Sequence, residues 1–575
     1  MDQGEERDST GTEAKLHVGA RRRVAAGRNI RLGAWCGRAA FATLTVAILS
    51  RLTTGVDLFD ESYYASFIDD WLKGGIATSR LATLHQTAAL ITYPLANVYF
   101  AVAGADGLIL FLRACYLVGS VLASVAWLAF LSRFDAPFMA WLGACIVLAF
   151  IPFGLPAASY NTLGQQGLFV ALAALGSARL GGPATTAGLS RWLIISAIGW
   201  AVAVVAYPSM ILALGACVFI LFIADRSWDA RWRYVVFVVV AQSVAWSLVI
   251  VTLSWRLYES AIYLAAINDV GSVSRKWEFS VGLLKKFPLY AVSLAVAAGV
   301  GVLRPWIPAV AMSLLTAALV GSVFSGPVAL FCRSHDVVTV LALTGIGLLW
   351  SWRAGQRPDR LLAIVWSVSM IAGLVTAVTA FNGLYNFCVG GAPAAAAALA
   401  GLSSRTLWAR CAKAFACGVV VVALGVTSLT FIYPYGRLAP GTSLQRIDGG
   451  AFAGTWGLPE QVALLAMMRE QVAPLVGPEN TIVVFGRWCS GLVLVTPARA
   501  LAFAILPMFD FMNPKGRQVT EKFYENPDNR PGIVVIFRDG VFPPFNPMKE
   551  ALANSYESIL LLKPKLGELE VYRRR

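Results

Sequence analysis

Charge is scarce in this sequence and histidine almost absent. Asp, Glu, Lys and Arg make up 14% of the 575 residues, and only three histidines occur, which excludes a histidine-rich metal centre. Nine cysteines form an odd set with no close pairs. Most of them, such as Cys36, Cys115, Cys145, Cys217, Cys411 and Cys417, fall inside or beside apolar segments. That pattern offers neither a disulfide framework nor zinc-ligand spacing. Internal repeats are missing, and the one low-complexity tract is the alanine run Ala394 to Ala398. No small-residue cleavage site follows the basic N-terminal segment at the right distance, so that segment reads as an uncleaved anchor.

Apolar residues fill the chain instead: 58% are hydrophobic and the mean hydropathy is +0.67. A chain of this length with that balance is a polytopic α-helical membrane protein, not a soluble enzyme. The net charge of +15 would suit nucleic acid in a soluble protein. Here the simpler source is basic residues on cytoplasmic loops, and no nucleic-acid partner is expected. Residues 1–33 form a polar tail with Arg21, Arg22, Arg23, Arg28 and Arg31 before the first apolar run at 34–50. Further runs near 108–131, 137–154, 163–179, 192–206, 209–224, 234–253, 288–303, 306–323, 337–351, 361–379, 388–403 and 412–432 bring the total to about thirteen spans of bilayer length. The segment 84–104 is only moderately apolar and fits an interfacial helix better than a span. Arg133, Arg179, Arg191, Arg226, Arg231, Arg233, Arg304, Arg353, Arg357, Arg360, Arg405, Arg410 and Lys413 then mark every second loop, as cytoplasmic loops require. This places the N-terminus in the cytoplasm and the C-terminus outside the inner membrane.

One stretch stands out against this background, Asp57-Leu58-Phe59-Asp60-Glu61-Ser62-Tyr63-Tyr64, directly after the first span. Acids so close to a membrane are costly unless they face water, a cation or a reacting substrate. Tyr63, Tyr64, Phe67, Ile68, Trp71 and Leu72 then recur at the spacing of one helical face, with Ser62, Ser66, Asp69, Asp70 and Lys73 on the other, until Gly74-Gly75 stops the pattern. The pattern predicts a short amphipathic helix lying on the bilayer, headed by two carboxylates. Helix capping by Asp57 with Asp60 three residues on explains the same acids without any chemistry.

The acidic pair, the tyrosines after it and its place behind the first span resemble the first outer loop of GT-C glycosyltransferases. Within that class the similarity is greatest to the protein O-mannosyltransferase and lipid A aminoarabinose transferase branch. It is clearest over residues 34–180 and is one of topology beyond them. The resemblance implies a GT-C-like transmembrane domain over 34–436, with a catalytic outer loop at 53–107. It also implies a polyprenyl-phosphate-linked sugar as donor and a hydroxyl of a glycan, lipid or protein as acceptor.

On that reading Asp60 and Glu61 are the catalytic candidates, with differing roles because adjacent residues at a helix start do not face each other. Tyr63, Tyr64, His85, Gln86, Tyr160, Asn161 and Asn382 are the substrate-binding candidates, all on expected outer segments. Arg80, Lys285, Lys286 and Arg333 are basic residues on the outer side, against the usual charge bias, and suit a lipid phosphate. Snorkelling anchors account for the two lysines equally well. Related transferases often carry a second acid before the fourth span, where this chain has Tyr160 and Asn161. A metal-bridged pair of carboxylates is therefore not favoured, and no cofactor is expected. Residues 437–575 lack a membrane-length run and mix helical and strand patterns, with strands expected at Thr481 to Phe485, Ile533 to Arg538, Ser558 to Lys563 and Leu569 to Tyr572. They read as a small extracytoplasmic α/β domain. A transporter or flippase of a lipid-linked sugar is the alternative function. It would use the same phosphate site without a base, but paired halves would favour it and none are visible.

Overall fold

The structure is a computed structural model. It describes residues 10–79, 81, 86–180, 186–224, 230–254, 256–260, 273–286, 288–302, 334–350, 357–380, 383–402, 406–432, 436–437, 441–486, 489–502, 514–540 and 546–575. Among these, seven helices have the length and apolarity to cross a membrane: Arg31–Leu52, Leu108–Leu131, Gly188–Ala206, Arg231–Leu253, Asp359–Thr379, Gly383–Ala400 and Trp408–Thr430. The chain is a multi-pass membrane protein. Helices also occupy the other expected spans, but these are shorter or more polar, and the one at 306–323 lies outside the described residues.

The helices that build the site are α1 (Thr10–Leu52), α2 (Asp60–Gly74), α3 (Gln86–Ala103), α4 (Leu108–Leu131), α5 (Pro137–Ala149), α6 (Tyr160–Leu180) and α7 (Thr186–Ala206). Beyond them lie α8 (Ile211–Ala224), α9 (Arg231–Leu253), α10 (Val273–Lys286), α11 (Pro288–Val302), α12 (Ser334–Thr344), α13 (Arg357–Thr379), α14 (Phe387–Ala400) and α15 (Leu407–Thr430). Between the expected spans at 234–253 and 288–303 the structure has a further helix, α10. Close packing of α13 on α14 requires glycine at 390, where a Cβ would stand 2.2 Å from the Ala372 carbonyl carbon. Pro393 interrupts the α14 hydrogen-bond ladder at this point. The Ser369 hydroxyl repairs it, donating to the Gly390 carbonyl at 2.6 Å and accepting from the Ala394 N–H at 2.8 Å.

A five-stranded mixed sheet lies near the C-terminus, built from β1 (Thr481–Phe485), β2 (Arg499–Ala500), β3 (Ile533–Arg538), β4 (Tyr556–Leu562) and β5 (Glu568–Arg574). Its order is β2-β1-β3-β5-β4, with β1 parallel to β2 and β3 and the remaining pairs antiparallel. Ile482 to Phe485 and Ile533 to Phe537 are buried without interruption, as central strands covered on both faces require. The sheet shares one hydrophobic core with α2 and the start of α4: Tyr63, Phe67, Trp71, Leu108 and Leu112 lie in the same cluster as Val484, Phe485 and Val535.

This packing corrects the expected placing of α2. Residues Glu61 through Trp71 are all buried, the polar side included, so the helix does not lie on a bilayer with one face in water. Its polar face meets the C-terminal unit: the Ser66 hydroxyl donates to the Ser490 carbonyl at 3.1 Å, and the Gly491 N–H donates to the Leu58 carbonyl at 2.9 Å. A Cβ at Gly491 would stand 2.7 Å from the Leu58 Cα, so only glycine lets Cys489–Val493 approach the acidic loop. Gly491→Ala is therefore expected to cost about 1–3 kcal/mol of stability, the usual range for overpacking. Thermal unfolding in detergent should show a lower midpoint for it but not for Gly215→Ala, where an added methyl would meet nothing within 4 Å.

Candidate active site

The segment between α1 and α2 is pinned before the acids begin. Gly55 N–H donates to the Trp456 carbonyl and Trp456 N–H to the Thr53 carbonyl, both at 2.7 Å. Arg51 is buried at the end of α1 and donates to the Thr54, Gly154 and Phe431 carbonyls. Arg113, near the start of α4, does more. Its Nε and Nη2 donate to Glu61 Oε1 and Oε2, each at 2.6 Å, a bidentate pair buried on both sides. The same guanidinium also donates to the Leu52 carbonyl at 2.5 Å and the Gly55 carbonyl at 2.8 Å. Arg113 is not among the residues expected from the sequence, although an arginine inside an apolar span is itself a signal.

The three acids of the loop therefore have different surroundings. Asp57 caps the helix: its carboxylate accepts from the Phe59 N–H at 2.9 Å and the Glu61 N–H at 2.7 Å. Burial first, and Asp60 second, push its carboxyl well above the usual carboxylate range. Capping thus falls to Asp57. Glu61 is held by Arg113. Asp60 is half-buried, and the rings of Tyr64 and Tyr160 are its neighbours.

Tyr160 and Asn161 are set by the start of α6. Ser159 and Thr162 cap it reciprocally, the Ser159 N–H donating to Thr162 Oγ1 at 2.9 Å and the Thr162 N–H to Ser159 Oγ at 3.3 Å. Tyr160 lies 6.1 Å from Tyr64 and 5.0 Å from Tyr207, centroid to centroid. Asn161 Oδ1 accepts from Asn386 Nδ2 at 3.4 Å, and both Tyr160 and Tyr207 lie against the Asn386 amide. The result is a wall of phenols and amides beside one half-buried carboxylate. Tyr207 and Asn386 are not anticipated by the sequence, because nothing in their own context separates them from ordinary span ends.

The remaining candidates scatter. Tyr63 is buried and packs edge-on against Tyr64 and Phe67. Gln86 is buried at the head of α3 and donates to the Ser260 hydroxyl at 3.1 Å. Lys285 is exposed near the end of α10, while the Lys286 side chain, Arg80, His85, Arg333 and Asn382 lie outside the described residues. Among the described residues Lys276 reaches the wall's rim, donating to the Val378 carbonyl at the end of α13, where α10 packs against the turn Gly383–Asn386.

Two solved structures resemble the chain over nearly its whole length. One is ArnT from Cupriavidus metallidurans in the apo state, with TM-score 0.51, 13% identity, and 92% of this chain and 97% of that chain covered. The other is the same protein bound to undecaprenyl phosphate, with TM-score 0.50, 14% identity, and 93% and 97% covered. The chain has the GT-C fold. No family model matches it, and no curated protein does. In the structure the acidic loop follows the first long apolar helix.

The far end of α2 is clamped as firmly as its head. Lys73 Nζ donates to Asp69 Oδ2 at 2.6 Å and to the Thr496 carbonyl at 2.8 Å, while Arg499 meets Asp70 at 3.3 Å and Thr78 at 2.9 Å. Burial, opposed by Lys73, raises the Asp69 carboxyl to about 6. An acid whose pKa is higher folded than unfolded binds its proton more tightly in the fold. Its stabilising effect is complete below about pH 4 and is lost as pH rises through about 6, a change on the order of 3 kcal/mol. Asp69→Asn should flatten that part of the stability profile between about pH 4 and 7, read from unfolding midpoints. An unchanged slope would show that Asp69 does not titrate there.

Proposed function

We propose that this protein is a membrane glycosyltransferase that moves a sugar from a polyprenyl-phosphate donor to an acceptor hydroxyl on the outer, periplasmic face of the inner membrane. The observation that carries it is the division of labour among the loop acids. Asp57 caps, Glu61 is locked to Arg113, and Asp60 alone of the three is half-buried beside a wall of hydrogen-bonding side chains. The GT-C fold, and a structural neighbour that binds undecaprenyl phosphate, support a lipid-linked donor. The transferred sugar is a hexose or a pentose, and no cofactor is invoked.

In the proposed reaction Asp60 accepts the proton of the acceptor hydroxyl as its oxygen bonds to the anomeric carbon. The bond between that carbon and the phosphate oxygen breaks, and the phosphate leaves with the electron pair on its lipid. Glu61 takes the part of a positioning residue, since its oxygens face Arg113. Lys276 at the rim joins Lys285, Lys286, Arg80 and Arg333 as a cation for the phosphate, which gains charge in the transition state.

Asp60→Asn preserves shape and cannot accept the proton. Transfer of radiolabelled sugar from the lipid donor into membrane acceptors should fall on the order of a hundredfold, with protein level and donor binding intact. Normal transfer by this variant would remove Asp60 from the chemistry, and donor movement across vesicles without transfer would favour the transporter.

The orientation rests on the arginines of alternate loops. Reporter fusions at Arg357 and at the C-terminus should therefore give opposite signals, cytoplasmic and external; matching signals would overturn it.

A further inference from the structure

We infer that the wall beside Asp60 is a subsite for an uncharged, hydroxyl-rich glycosyl group, and that Asn386 sets this preference. The inference rests on the transferase reading and deepens it by naming the class of sugar.

Asn386 closes the turn before α14 and is fully buried. Its backbone carbonyl accepts from the Thr376 hydroxyl at 2.8 Å, which fixes the turn against α13. Its Nδ2 reaches Asn161 Oδ1, while its Oδ1 is buried and, among the described residues, has no hydrogen-bond partner. A buried amide oxygen left in that state is costly, so a partner that arrives with substrate regains the lost hydrogen bond. Tyr160 and Tyr207 flank the amide, Asn161 and Tyr160 are half-buried, and Asp60 is a neighbour of Tyr160.

Among the described residues, few charged groups lie around this wall. Asp60 faces it from the head of α2, and Asp57 lies behind Asp60 with its carboxylate taken by the Phe59 and Glu61 N–H groups. Lys276 reaches its rim from α10, and His335 and Asp336 lie behind Tyr385, whose ring is 4.8 Å from the His335 ring. Among the described residues, the side chains against Asn386 itself are phenols, an amide and hydroxyls.

Amides and phenols donate and accept at once, as sugar hydroxyls do, so each can satisfy the other. An ammonium on the sugar would need a second carboxylate here, because Asp60 is engaged with the acceptor proton. A sugar carboxylate would need a cation and would sit close to Asp57 and Asp60. The ammonium would be desolvated without a partner, and the carboxylate would meet, among the described residues, only Lys276 at the rim, whose ammonium already donates to the Val378 carbonyl, while facing the repulsion of Asp60. A site built to pair hydroxyls rejects such analogues by large factors.

The test uses the full-length protein in detergent and four ligands: undecaprenyl phosphate alone, and the same lipid phosphate carrying mannose, aminoarabinose or galacturonic acid. Affinity is read from tryptophan fluorescence, so no acceptor is needed. The mannosyl lipid should bind at least about tenfold more tightly than each of the other three. Asn386→Asp, which adds a carboxylate, should move the preference toward aminoarabinose. Asn161→Asp, at a half-buried position, serves the same purpose should the first variant fail to fold. Equal or tighter binding of either charged sugar by the unaltered protein, or no gain from mannose over the bare lipid phosphate, overturns the inference. Selective binding of the mannosyl lipid without transfer would overturn the transferase reading and leave the subsite standing. Efficient transfer of aminoarabinose would do the reverse.

Discussion

The bidentate pair between Arg113 and Glu61 is the contact on which the rest of the site depends. It joins α4 to the head of α2, and the same guanidinium holds the carbonyls of Leu52 and Gly55. Two buried charges are expensive to remove from water, and only multiple, well-aligned hydrogen bonds offset that cost. Here both carboxylate oxygens and all three nitrogens of the guanidinium are engaged. Loss of one partner from such a pair typically costs about 3–5 kcal/mol, which is a large share of the stability of most domains. The pair fixes where Asp60 points, because Asp60 and Glu61 are adjacent in the chain and α2 cannot rotate without breaking it.

The clamp at the other end of α2 completes this fixation. Lys73 and Arg499 tie its last turn to residues 496–499, and Gly491 admits the backbone of the C-terminal unit against Leu58. A helix held at both ends transmits strain instead of absorbing it. Whatever displaces the C-terminal unit must therefore displace Asp60 or break a buried ion pair. This coupling is why the sheet shares a core with α2 rather than forming a separate one.

Much of the fold was legible from hydropathy, because a bilayer imposes length and apolarity on every crossing helix. The acidic loop was legible for the converse reason, that acids beside a membrane are costly and so rarely incidental. What the pattern hid was the partner of the polar face of α2. Ser62, Ser66, Asp69 and Lys73 are the residues that a surface helix would turn to water, and they equally suit a helix buried against a polar partner. Periodicity reports which residues share a face and says nothing of what covers it. Asn386 and Tyr207 were hidden for another reason: their neighbours Tyr160 and Asn161 are distant in sequence, and only the fold brings them together.

The wall itself is held by a local cost. Phe153, just ahead of α6, has φ of 58°, a left-handed conformation that a bulky residue adopts only when its surroundings over-determine it, at a cost of about 1–3 kcal/mol. Its ring lies 5.7 Å from that of His335, which in turn meets Tyr385 next to Asn386. The bend therefore lets the chain leave α5, pass the head of α12 and enter α6 with the Ser159 and Thr162 caps in place. Tyr160 and Asn161 emerge from that cap already facing Asn386. Rigid placement of uncharged donors and acceptors beside a single carboxylate is the form that preorganisation takes when a site must orient hydroxyls without competing for the proton it removes.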